Sequence, residues 1–110
     1  MAHKRVVVVD DICTPLFDAI VLRTCEDAID YLNGIPVDEL WLNDDLIDRV
    51  KIVSLVDWIV ESYKWETGPR IGKIVYFSKT PDDGNDIFSR LAALYPIEYV
   101  EVTPELFDIT

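Results

Sequence analysis

The chain is poor in several residue types, and each shortage excludes a class of protein. It has two cysteines in 110 residues, too few to staple a chain of this length as a secreted disulfide scaffold. It has a single histidine, His3, so a histidine-rich metal site is excluded and no obvious general base is at hand. No apolar run approaches the ~20 residues that cross a bilayer. The four valines after Arg5 are too few for the apolar part of a signal peptide. Basic residues number 10 against 21 acidic, a formal net charge of -11. A surface this negative argues against nucleic acid or an anionic membrane as the main partner. It leaves cations, basic protein surfaces and DNA mimicry. The expectation is one cytoplasmic domain over residues 1–110, with a core at about 5–103 and a C-terminal tail at 104–110.

What is present is a regular alternation. Half of the residues are apolar and 28% are charged, a globular balance. Residues 5–10, 19–23, 39–43, 73–78 and 97–102 form short apolar or alternating runs that read as strands. Helical spacing fills the intervals. Thr24 with Asp27 resembles a capping box opening a helix over 25–33, which stops at Asn33-Gly34. Val50, Val53, Val56, Ile59, Val60 and Tyr63 follow the helical spacing of a second helix at about 48–64. Thr80-Pro81-Asp82-Asp83 opens a third over 82–95, closed by Pro96. Strand and helix in alternation imply a mostly parallel sheet with right-handed crossovers. Between the first two strands there is only an eight-residue link containing Pro15, too short for an ordinary crossover helix.

Ligands of an open parallel sheet bind beyond the carboxyl ends of its strands. The first strand ends in Asp10-Asp11, the third in Asn43-Asp44-Asp45, and the fourth in Ser78, followed by Lys79-Thr80. Carboxylates gathered there repel one another unless a cation lies among them, and oxygen ligands suit Mg²⁺. Asp10, Asp11 and Asp45 are the candidate metal ligands. Ser78 and Thr80 are candidates for contact with a phosphate oxygen. A solvated strand end with an Asx-turn at Asp10-Asp11, and helix N-capping at Asp44-Asp45, are the plainer readings.

These stretches resemble the receiver domains of bacterial response regulators, and more closely the cyclic-phosphate-processing receiver domains. The segments that carry the likeness are Asp10-Asp11-Ile12-Cys13-Thr14-Pro15, Leu42-Asn43-Asp44-Asp45-Leu46, Phe77-Ser78-Lys79-Thr80-Pro81 with Gly84, and Arg23-Thr24 through Ala28. The resemblance implies an α/β fold, flavodoxin-like or receiver-like, with a five-stranded parallel sheet in the order 2-1-3-4-5. It also marks departures. Asn43 stands where the phosphoacceptor aspartate is expected, and an amide cannot form an acyl phosphate. Asp44, Cys13 and Phe77 replace a histidine, an arginine and a histidine, and Thr103 stands near the place of the fifth-strand lysine. Asp44 remains a possible acceptor or base in a register shifted by one.

In that order the three crossovers lie on one face, and the first and last helices are reduced or missing. The other face is apolar and needs cover. Loop residues Leu16 and Phe17 and tail residues Leu106, Phe107 and Ile109 are the candidates, either folding over the face or forming an interface with a second copy or another protein. The expected function is a stand-alone atypical receiver, or pseudo-receiver, that regulates by protein–protein interaction, as a bacterial or phage protein. The alternatives are a Mg²⁺-dependent phosphoesterase that processes cyclic phosphates, and an acidic host-takeover inhibitor or DNA mimic.

Overall fold

The computed structural model describes residues 4–10, 14–43, 49–65, 69–78, 86–101 and 103–108. In chain order the elements are β1 (Val6–Val9), β2 (Thr14–Pro15), β3 (Ile20–Leu22), α1 (Cys25–Leu32), β4 (Val37–Asn43), α2 (Arg49–Lys64), β5 (Ile71–Ser78), α3 (Asp86–Ala92), β6 (Ile97–Glu101) and β7 (Phe107–Asp108). Five strands form one sheet in the order β3-β1-β4-β5-β6, every neighbouring pair parallel. Counted among themselves, these strands have the expected order 2-1-3-4-5. This is the α/β receiver-like architecture that the alternating apolar runs imply.

Strand alternation divides the core in two. Val7 and Val9, Leu40 and Leu42, and Ile74 and Tyr76 face the helices. There they meet Ala28 and Leu32 of α1, Leu55, Val56 and Ile59 of α2, and Leu91 of α3. All three helices thus pack on one side. Thr24 caps α1 as its spacing predicts: the hydroxyl oxygen accepts the Asp27 amide at 3.1 Å. Asp57 and Arg90 tie α2 to α3 through an ion pair of 2.7 Å.

The third helix is shorter than the apolar stripe suggests. It ends at Ala92 rather than at residue 95, and its expected start at 82–85 lies outside the described residues. The Leu94 and Tyr95 amides both donate to the Leu91 carbonyl, so the chain tightens into a turn. Pro96 then disfavours helical geometry in the residue before it.

The opposite face carries Val8, Trp41, Val75 and Phe77. Its cover comes from the chain itself. β2, in the short link after β1, pairs antiparallel with β7 near the C-terminus, placing Thr14 opposite Asp108 and Pro15 opposite Phe107. The Leu16 amide continues the contact to the Leu106 carbonyl at 2.8 Å. Phe107 is 1% exposed; its ring stacks on Phe77 with centroids 4.7 Å apart. Phe17 meets Trp41 at 4.8 Å. Of the residues expected to form an interface with a partner, Phe107 is therefore packed inside the chain, and Phe17 and Leu106 are half-buried against the same cluster. Leu16 remains 58% exposed, and Ile109 lies outside the described residues. Neither β2 nor β7 shows in the apolar pattern. Pro15 suits such a two-residue edge, where its missing amide hydrogen is tolerated.

Candidate functional site

The carboxyl ends of β1, β4 and β5 meet at one edge. The register pairs Val9 with Leu42 and Asn43 with Phe77, so Asp10 and Asn43 follow on adjacent strands. Asp10 is fully buried and Asn43 is 5% exposed. The Asp10 amide donates to the Leu22 carbonyl at 3.1 Å, which fixes the strand end against β3. Ser78 closes β5 at the same edge. The parallel topology thus gathers Asp10, Asn43 and the Ser78 backbone, as the strand ends in the sequence lead one to expect. Asp11, Asp44, Asp45 and Thr80 lie outside the described residues. Among the described residues, no three histidine, cysteine, aspartate or glutamate side chains gather around a common point that would hold a metal ion.

One residue that belongs to a family-like segment, but is not among the candidate site residues of the sequence, takes a place at this edge. Arg23 follows β3 directly, and its guanidinium turns back over the end of β1. Nη1 donates to the Asp10 carbonyl at 3.2 Å, and Nη2 donates to the Thr14 hydroxyl at 3.1 Å. A planar fork with several donors suits such bridging better than an ammonium does. The sequence signal was faint: a lone arginine between an apolar run and a helix cap. Cys25, two residues on, is buried at the start of α1.

The amino-terminal edge carries charge of a different kind. Glu39 is 9% exposed. It pairs with Lys4 and accepts the Trp41 indole N–H at 3.1 Å. Burial pushes its carboxyl up. The hydrogen bonds from Lys4 and Trp41 and the charges of Lys4 and Lys73 outweigh that, and the group titrates below the usual carboxylate range. Lys4 is held above its ordinary value by the hydrogen bond to Glu39 and by its charge. Nearby, Lys73 and Glu98 pair at 3.2 Å, and the Arg5 amide donates to the Asp38 carboxylate at 2.6 Å. These contacts join neighbouring strands at the end away from Asp10, and their role is structural. A cavity of about 200 Å³ at this end is lined by Leu32, Ile35, Pro36, Pro69 and Arg70 among others. Among the described residues, no cluster of reactive groups lines it.

The sequence model of the cyclic-phosphate processing receiver domain matches residues 5–93. The chain belongs to this family. The match runs from β1 through α3 and takes in Asp10, Arg23, Asn43 and Ser78. It stops before β6, so the C-terminal segment that covers the second face of this receiver domain lies beyond it. No curated protein and no solved structure matches the chain. Among the described residues, no helix is long and apolar enough to cross a membrane.

Proposed function

We propose that this receiver domain regulates by contact with another protein and takes no phosphoryl group at residue 43. The observation that carries the reading is Asn43, buried at the end of β4 beside Asp10. A carboxylate oxygen there would be the nucleophile of an acyl phosphate; the carboxamide offers no such anion. The excess of acidic over basic residues favours a basic surface on the partner, through long-range attraction that speeds encounter.

Intact-mass spectrometry after incubation with acetyl phosphate and Mg²⁺ tests the chemistry. The expected result is an unchanged mass for the natural chain and a phosphoryl adduct in Asn43→Asp. An adduct on the natural chain, mapped to Asp44 or Asp45, would mean an acceptor in a shifted register and would overturn regulation without phosphorylation.

The family's name favours a second reading, a Mg²⁺-dependent phosphoesterase acting on cyclic phosphates. In it Asp10, Asp11 and Asp45 would hold the ion and Asp44 would act as base, with Ser78 and Thr80 toward the phosphate. A bound divalent ion would polarise a phosphoryl oxygen and lower the pKa of a coordinated water. Turnover of a cyclic phosphodiester that requires Mg²⁺ and disappears in Asp10→Asn would establish this second reading over the first.

A further inference from the structure

Residues 14–16 and 103–108 form a strap over the aromatic face, and among the described residues its backbone bonding is largely self-contained. β2 and β7 make a two-stranded sheet of their own, separate from the five-stranded one. The Leu16 amide bonds to the Leu106 carbonyl, and the Leu106 and Phe107 amides both bond to the Thr103 carbonyl. Lifting the strap would break none of the pairings that join β3, β1, β4, β5 and β6. It would withdraw Phe107 and Leu106 from Trp41 and Phe77. Local openings that leave the main hydrogen-bond network intact are the low-energy ones in native proteins.

Among the described residues, the polar tie between strap and sheet is Arg23. Its guanidinium holds the Thr14 hydroxyl on the strap side and the Asp10 carbonyl at the end of β1. We propose that the strap opens as a unit independent of the five-stranded sheet, and that Arg23 is its latch, coupling the C-terminal segment to the strand end that carries Asp10. Arg23 is a positioning residue here. The device does not depend on whether residue 43 is phosphorylated, and the C-terminal half of the strap lies outside the region shared with the family. Because coupling is reciprocal, whatever shifts the Asp10 strand end also shifts how tightly Phe107 is seated.

Native-state hydrogen exchange on the full chain tests this, comparing the natural sequence with Thr14→Val and Arg23→Gln. Thr14→Val removes the hydroxyl with little change of shape; Arg23→Gln removes the fork. Once lifted, a two-stranded pairing this short has no stability of its own and frays, so in both variants the Leu16 and Phe107 amides should exchange about tenfold faster, the scale of one lost hydrogen bond to a charged group. The Val8, Trp41 and Val75 amides should keep their natural rates, which also reports that the variants are folded. A second readout is Trp41 emission in a chain carrying Trp58→Phe and Trp65→Phe, which should shift to the red in both variants as the ring is wetted. Unchanged exchange at Leu16 and Phe107 would show that Arg23 is no latch. Equal acceleration of strap and sheet amides would show that the strap opens only when the whole chain unfolds.

Discussion

A Cβ atom on Gly72 would lie 2.7 Å from the Asp38 carbonyl oxygen, closer than real Cβ contacts come. The reason is local. Both the Asp38 and Glu39 amides donate to the Arg5 carbonyl, so β4 carries a kink beside β1. Val37 and Ile71 join the helix-side core, as Leu40 and Ile74 do three residues later. An odd spacing on one face means that the pleat is interrupted in both strands at this level. Gly72→Ala forces backbone to move and should cost about 1–3 kcal/mol, read as a lower urea midpoint. Glu39 gives a pH test at the same edge. Its folded-state pKa lies below its ordinary value of 4.5, so the stability it contributes is present above that value and is lost as pH falls through the lowered one. In urea titrations, Glu39→Gln should therefore be less stable than the natural chain at neutral pH, and the gap should close in acid. At the carboxyl edge, Asp10 and Asn43 were legible because strand ends in a parallel sheet converge whatever the loops do. Arg23 was not legible, because its role depends on a side chain folding back across two strands, and periodicity carries no such information.

The elements that the sequence announces are those with a period. Val6–Val9, Val37–Asn43 and Ile71–Ser78 are apolar on both faces because both faces are covered. α1 is announced by its cap, and Thr24→Ala should cost about 1 kcal/mol. β2 and β7 carry no period at two residues each. Their pairing is made by chain segments far apart in sequence and is held by burial of Phe107. Phe107→Ala should therefore destabilise by about 3–5 kcal/mol, the usual range for truncating a buried aromatic ring; calorimetry and urea melts check it. A loss below about 1 kcal/mol would mean that the ring contributes little to the cover. The same pairing explains why an apolar face expected to seek a partner is largely occupied. Loop and tail together bring Phe17, Leu106 and Phe107 to it, and packing within one chain escapes the loss of translational freedom that a second molecule would pay.

Over the whole molecule, charge is the term that solution conditions reach most easily. With 21 acidic against 10 basic residues, exposed carboxylates repel one another across the surface. Ion pairs such as Lys73–Glu98 and Arg90–Asp57 contribute about 0–1 kcal/mol each. Salt screens both, but the repulsion is shared by many more charges. The melting temperature should therefore rise between about 10 mM and about 1 M NaCl, as the Debye length shortens from about 30 Å to about 3 Å. A fall would mean that the ion pairs dominate.

The order of synthesis gives the strap one more consequence. A ribosome delivers β1, β4 and β5 long before Phe107 emerges, so the nascent sheet waits with Trp41, Val75 and Phe77 bare on one side. During that interval the growing polypeptide is a natural client for a chaperone. A fragment ending after β6 would keep its main ladder and its helical layer yet be sticky, clumping more readily on storage than the longer chain.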